Sequence, residues 1–239
     1  MADENRARGF EVDAVAFDLD GTLLDTIRDL AAAVNGLLAE DGRPALAEDT
    51  IRDLVGRGMP NLLHRALALA GAPGATDAEM AVVLVRYQAI YGGLLGRHTL
   101  PFPGVIAGLD RMRAAGFRLA VVTNKATRFV LPHLELARIS TYFDVIVGGD
   151  DAPRKKPDAA PLLLAAERLG VAAPHLLMVG DSDNDVAAAR AAGCPVLVVP
   201  YGYSEGLPVQ SLGSDGIVDS LAAVADLVVL RAGTHATPT

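Results

Sequence analysis

The 239-residue sequence predicts an α/β fold: a Rossmann-like parallel sheet core carrying an inserted small α-helical module. Three observations lead there. Short apolar runs recur along the chain, separated by helix-patterned segments. Several runs are Val-rich without polar alternation, as expected of strands covered by helices on both faces. Residues 26 to 100 break the alternation, with helical periodicity and no strand-like run.

In chain order, "AVAFD" (14–18) reads as the first strand. The helical segment follows. Ile27, Leu30, Val34, Leu37 and Leu38 fall on one helical stripe. Pro60 suits a first helical turn, with Leu62, Leu63, Ala66, Leu67 and Ala70 running up to Gly71. Thr76 and Glu79 have capping-box spacing and open a helix through Met80, Leu84, Tyr87 and Tyr91. The prolines of "LPFPG" then favour extended backbone.

Beyond them the alternation resumes. Strand-like runs are "LAVVT" (119–123), "VIVGG" (145–149), "LLMVG" (176–180) and "PVLVV" (195–199). Helices over 105–115, 160–169 and "DNDVAAARAAG" stop at Gly116, Gly170 and Gly193, where a left-handed residue ends a helix most easily. The boundaries expected are 1–25 with 103–239 for the α/β core and 26–102 for the helical insert. The tail "RAGTHATPT" reads as disordered.

Composition narrows the function. Hydrophobic residues form 51% of the chain, enough for a large core. With no Trp and 5% aromatics, stacking on bases or sugars is disfavoured. A net charge of −8 argues against nucleic acid and anionic membrane as partners, though not against a small anion in a local basic pocket. Cys194 alone cannot form a disulfide framework or a Cys-rich zinc site, and its neighbours make it a buried small hydrophobe. The charged start is not a secretory signal, and no apolar run approaches the roughly 20 residues that span a bilayer. The expected location is cytoplasmic, as a monomer or homodimer.

In doubly wound sheets ligands bind beyond the carboxyl ends of the strands. Those ends carry Asp18-Leu19-Asp20-Gly21, Thr123-Asn124-Lys125 and Asp181-Ser182-Asp183-Asn184-Asp185, with "RKKPD" (154–158) between the last two strands concerned. Acidic groups at the mouth of a core repel one another and resist ionisation. A hard divalent cation of the Mg²⁺ type removes that conflict: Asp18 and Asp181 can supply carboxylate oxygens and Asp20 its backbone carbonyl. Lys156 and the Thr123 hydroxyl can then hold phosphate oxygens, with backbone N–H groups near Gly21 assisting.

"DLDGTLLD", "VVTNK", "KKPD" and "GDSDND", in this order and spacing, resemble the four motifs of the haloacid-dehalogenase-like hydrolases. The likeness covers about residues 12 to 225, and "FPGV", "LAVVTNK", "FDVIVGGDD" and "LMVGDSDNDVAAARAAG" are most similar to phosphoglycolate phosphatases. The resemblance implies that the insert is a cap. It implies that Asp18 is a nucleophile forming an aspartyl-phosphate, and that Asp20 is the general acid and then the base. Thr123, Asn124 and Lys156 would bind the phosphoryl group, Asp181 would complete the Mg²⁺ site, and Asp185 would steady it by pairing with Lys156. One departure is Lys156-Pro157-Asp158-Ala159 where Lys-Pro-x-Pro is usual, which softens the following helix start.

The expected activity is thus Mg²⁺-dependent hydrolysis of a small phosphomonoester, 2-phosphoglycolate first. Sugar-phosphate phosphatases, phosphosugar mutases and pyrophosphatases share the motifs. A non-catalytic phosphate-sensing regulator would tolerate loss of the nucleophile, the acid or the metal ligand, and all are present. A calcium loop at Asp181 fails, because Val186 and Ala192 stand where Gly and Glu are needed. Asp183, Arg154 and Lys155 read as surface charges, and His64, His98, His133 and His175 as surface or cap residues. Arg57, bracketed by Gly56 and Gly58, is the candidate to reach the substrate's non-phosphate end when the cap closes.

Overall fold

The structure, a computed structural model, describes residues 9–72 and 74–232. The tail from 233 onward, and with it most of the segment read as disordered, lies outside them. The chain begins with β1 (Phe10–Val12), β2 (Ala14–Phe17) and β3 (Leu24–Asp25). The helices α1 (Ile27–Glu40), α2 (Glu48–Arg52), α3 (Met59–Leu69) and α4 (Asp77–Leu94) follow, then β4 (Leu100–Pro101). Next come α5 (Val105–Ala114), β5 (Arg118–Val122), α6 (Thr127–Leu136), β6 (Val145–Val147) and α7 (Ala160–Leu169). The chain continues through β7 (Leu176–Gly180), α8 (Asp183–Ala192), β8 (Val196–Val198), β9 (Gly216–Ile217), α9 (Leu221–Leu227) and β10 (Val228–Leu230).

Six parallel strands form the sheet in the order β6-β5-β2-β7-β8-β9. The chain leaves β2 toward β5 and β6 on one side, then crosses to β7, β8 and β9 on the other. This puts the topological switch at β2, with Phe17 opposite both Val121 and Val179. Strand alternation sorts the core. Val15, Phe17, Leu119, Val121, Leu177 and Val179 meet Leu109, Met112, Leu221 and Val224 of α5 and α9. The smaller Ala14, Ala16 and Ala120 meet Leu162, Ala165, Ala188 and Ala189 of α7 and α8. Each large side chain so buried contributes roughly 1.5–3 kcal/mol, enough in sum to hold ionisable groups at the strand ends. Gly108 lets α5 touch α9, since a Cβ there would stand 2.5 Å from the Leu221 carbonyl oxygen.

The α1–α4 helices bury a separate cluster that includes Leu30, Val34, Leu37, Leu63, Tyr87 and Tyr91. The stripe expected of α1 is its buried face. The capping box forms as its spacing predicts: Thr76 N–H donates to Glu79 Oε2 at 2.8 Å, and Glu79 N–H to Thr76 Oγ1 at 3.3 Å. Strand-free sequence up to residue 100 is corrected: Leu100 and Pro101 pair antiparallel with Asp25 and Leu24, closing the base of the insert. A two-residue ribbon has no periodicity to read. The five-residue α2 is likewise too short to show a period, and β1 pairs with β10 across nearly the whole chain. Among the described residues no helix is long and apolar enough to cross a membrane.

Candidate active site

The strand ends converge. Asp18 continues the ladder by one bond, its N–H donating to Val179 O at 3.0 Å, and Thr123 does likewise to Val147 O at 3.0 Å. Beyond those bonds the side chains leave the sheet for a small cavity. Asp18, Asp20, Thr123, Asn124 and Lys125 line one wall; Leu30, Val55, Gly56, Gly58, Met59 and Leu62 line the other.

Carboxylate oxygens of Asp18, Asp181 and Asp185 all lie within 4.8 Å of one another. Lys156 sits among them, 97% buried, donating to Asp185 Oδ1 at 2.6 Å and to Val122 O at 2.7 Å. Its Nζ is also 3.0 Å from Asp18 Oδ1. That contact is an ion pair without hydrogen-bond alignment, and Asp18 Oδ1 is buried with no hydrogen-bond partner. Burial pushes the Asp18 carboxyl up to about 6; Lys156 opposes this, while Asp185 and Asp20 add to it. Burial, with Asp185 and Asp18, holds Asp181 well above the ordinary carboxylate range. Burial works against the Lys156 ammonium, but Asp18 and Asp185 outweigh it and raise its pKa.

An orphaned carboxylate oxygen beside a second carboxylate whose ionisation burial opposes fits a hard divalent cation. Of the residues expected to hold it, Asp18 and Asp181 face each other here. The Asp20 side chain turns away to Lys125, so only its backbone remains to serve. Asp185 is saturated: its Oδ2 accepts from the N–H of Asp181 (3.2 Å), and from the N–H (3.1 Å) and hydroxyl (2.7 Å) of Ser182. It fixes the turn that presents Asp181 and balances Lys156.

Three glycines make room for this cluster. A Cβ on Gly180 would lie 2.3 Å from Asp185 Cγ, and one on Gly202 2.3 Å from Asp181 Cβ. Gly21, at φ +91°, would place a Cβ 2.2 Å from Asp181 Oδ2. Its own N–H donates to Leu24 O at 3.0 Å, so it closes the turn and is not free for a phosphate. Asp181 accepts from Thr22 Oγ1 at 3.1 Å and from Tyr203 N–H at 2.5 Å. The Tyr203 hydroxyl in turn accepts from Thr26 N–H at 2.8 Å and donates to Asp25 Oδ1 at 2.9 Å, tying the loop after β8 to the base of the insert. Gly202 and Tyr203 are not among the residues expected at the site, although the glycine-bracketed "YGYSEG" marks a turn there.

Asn124 serves mainly as a brace. Its amide nitrogen donates to Gly56 O and Lys156 O, both at 2.9 Å, and its oxygen accepts Lys156 N–H at 2.9 Å. It therefore joins Lys156 to the loop carrying Arg57. The Thr123 hydroxyl, 2% exposed as a residue, accepts Lys125 N–H at 3.2 Å and borders the cavity. The lost proline after Lys156 is compensated: Asp158 Oδ1 accepts Ala160 N–H at 2.9 Å, and Pro161 stands in the first turn of α7.

Asp20 pairs with Lys125, whose Nζ is 2.9 and 3.2 Å from its two oxygens. Burial is the largest influence and would raise the Asp20 carboxyl, but Lys125, foremost among several neighbours that favour the carboxylate, brings the pKa below the usual value. Arg57 does not border the cavity. Its Nε lies 2.9 Å from Glu205 Oε1, with Arg65 Nη1 3.1 Å from Oε2 and Asn184 Nδ2 3.1 Å from Oε1. His133 is a correction: it is fully buried on α6, whereas His64 and His98 are exposed as expected. Cys194 is buried and its thiol is pushed up to about 11 by burial, as befits a packing residue.

The sequence matches the haloacid dehalogenase-like hydrolase family over residues 15–199. It is 46% identical to a phosphoglycolate phosphatase of Thiobacillus denitrificans, covering 91% of this chain and 96% of the relative. The phosphoglycolate phosphatase of Escherichia coli K12 is 41% identical, over 88% of this chain and 90% of that one. Among solved structures, a predicted phosphoglycolate phosphatase from Haemophilus somnus superposes with a TM-score of 0.85 at 33% identity, covering 90% of this chain and 97% of the other.

Proposed function

The chain belongs to the haloacid dehalogenase-like hydrolases and is a phosphoric monoester hydrolase; from that premise we propose that it converts 2-phosphoglycolate to glycolate and phosphate through an aspartyl-phosphate on Asp18. The observation that carries this reading is the Asp18 carboxylate. It faces a small cavity, with one oxygen unclaimed by any hydrogen bond and the Lys156 ammonium 3.0 Å away.

In the first step an Asp18 oxygen attacks phosphorus, the P–O bond to the alcohol breaks, and the departing oxygen takes its proton from Asp20, which must first pick that proton up from solvent or substrate because Lys125 favours its carboxylate form. In the second, water attacks the same phosphorus, its proton passes to Asp20, and the bond to Asp18 breaks to release phosphate. Lys156 and the Thr123 hydroxyl bind phosphoryl oxygens, while Asn124 and Asp185 hold Lys156 in place. A divalent cation of the Mg²⁺ type, held by Asp18, Asp181 and the Asp20 backbone carbonyl, would offset the cluster's charge and the charge developing on the phosphoryl oxygens.

The insert of 26–102 acts as the cap. Its Val55, Met59 and Leu62 give the cavity an apolar wall that excludes water. The likeness to the phosphoglycolate phosphatases of Thiobacillus denitrificans and Escherichia coli, at 46% and 41% identity, supports phosphoglycolate over larger esters. The test is a panel of phosphate esters with and without Mg²⁺, including phosphoglycolate, hexose phosphates and pyrophosphate. Preference for a hexose phosphate or for pyrophosphate would remove the substrate assignment, and full turnover by Asp18→Asn would remove the mechanism.

A further inference from the structure

Lys125 has no role in the chemistry described so far, yet it is 5% exposed and borders the cavity beside Asp20. Burying an ammonium costs several kcal/mol unless its hydrogens are all met. Here all three are met, by Asp20 Oδ1 at 2.9 Å, Asp20 Oδ2 at 3.2 Å and the Tyr91 hydroxyl at 2.6 Å. A methionine would fill the same space without that cost, so packing alone does not explain a lysine. The partners come from three places: Asp20 from the turn after β2, Lys125 from the turn after β5, and Tyr91 from α4 of the insert. Tyr91 itself cannot shift easily. It is fully buried, stacked on Tyr87 with ring centres 5.8 Å apart and edge-on to Phe129 at 5.2 Å. Lys125 Nζ also lies 4.8 Å from the centre of the Tyr91 ring.

We infer that Lys125 is a positioning residue, clamping both Asp20 oxygens against the Tyr91 hydroxyl so that Asp20 is aimed to take the proton of the attacking water only while the helical insert is seated. This rests on the covalent mechanism proposed above. The affected step is the second one. The water O–H breaks and its proton goes to Asp20, the new O–P bond forms, and the P–O bond to Asp18 breaks to leave phosphate and a free carboxylate.

The test uses p-nitrophenyl phosphate labelled in its phosphate, with Mg²⁺ and the full chain. Its phenolate leaves without a proton, so the first transfer does not need Asp20 as an acid and kcat reports the second step. In Lys125→Met, kcat is expected to fall about 10-fold or more, within the range that proton-transfer groups supply. kcat/KM should stay within about 3-fold, and acid-quenched phosphoenzyme should accumulate. Lys125→Arg should recover most of kcat. Tyr91→Phe, which keeps the ring and removes only the hydroxyl, should shift both readouts the same way by less, and it carries the test if Lys125→Met does not fold. Equal falls in kcat and kcat/KM, or an unchanged phosphoenzyme fraction, would overturn the role of Lys125 alone. Label on Asp18→Asn at the wild-type level would overturn the covalent mechanism, and the inference with it.

Discussion

Lys156 Nζ stands 2.6 Å from Asp185 Oδ1 and 3.0 Å from Asp18 Oδ1, so one buried ammonium is shared between a structural carboxylate and the candidate nucleophile. Removing one member of such a group leaves the others uncompensated. Lys156→Met should cost about 3–5 kcal/mol in urea unfolding and abolish turnover. The double variant Lys156→Met/Asp185→Asn should cost less than the sum of the singles by about 0.5–3 kcal/mol. Simple additivity would show that the pair is not coupled.

The Asp18 carboxyl, raised by burial from 3.8 to about 6, gives a pH signature in metal-free protein. A raised folded-state pKa contributes stability in full below about pH 4, and that contribution fades as pH rises through 6. A cation competes for the same oxygens, so the rise in Tm on adding Mg²⁺ should be small at pH 5 and larger at pH 7.5. An equal rise at both pH values would contradict binding through these carboxylates.

His133 acts in the opposite direction. Its Nε2 meets Thr99 Oγ1 at 2.9 Å, and Thr99 donates onward to Asp29 Oδ2 at 2.8 Å, so Nε2 carries a proton, while the buried Nδ1 has no hydrogen-bond partner to support a second one. Burial, with the nearby Lys125, pushes its pKa from 6.5 down to about 3. A depressed folded-state pKa gives stability that is present above 6.5 and lost as pH falls toward 3. His133→Gln should flatten the acid limb of the stability profile, by up to about 1.4 kcal/mol per pH unit. An unaltered slope between pH 6 and 4 would mean that the ring does protonate in the folded protein.

Two glycine variants should separate packing from chemistry. Gly202→Ala drives a methyl group into Asp181 and should reduce kcat/KM by about 100-fold or more, as displaced catalytic geometry does. Gly108→Ala forces α5 from α9, away from the site, and should cost about 1–3 kcal/mol in unfolding while kcat stays near normal. Comparable activity in the two variants would show that the space at Gly202 is not what holds Asp181.

Arg57 is held outside the cavity by Glu205, and its side chain is 54% exposed, so the ion pair itself contributes little stability. If Arg57 turns to a substrate carboxylate during the cycle, Arg57→Ala should lower kcat/KM for phosphoglycolate by about 10-fold, the value of one charge-assisted hydrogen bond. Unchanged kcat/KM would confine Arg57 to the Glu205 contact.

Much of the architecture was legible because its signals are local. The stripe of α1, the Thr76–Glu79 box, the glycine stops and the unbroken apolar runs each depend on residues within a few positions of one another. Apart from β7, which fills its run, the strands end one or two residues before the apolar runs do; Asp18 and Thr123 each make one further backbone bond before their side chains leave the sheet for the cavity. The convergence of Asp18, Thr123, Lys156 and Asp181 was also readable, since strand order in a parallel sheet brings carboxyl ends to one edge.

What the sequence determined by itself, then, was the layered α/β architecture, the inserted helices and the roster of polar groups at the sheet edge. Tertiary structure alone decided how those groups pair: Asp185 with Lys156, Asp20 with Lys125 and Tyr91, Arg57 with Glu205, and His133 inside rather than outside. Periodicity records which face of an element is buried. An ion pair between residues 105 positions apart, as for Lys125 and Asp20, depends on distances that exist only after the chain has packed.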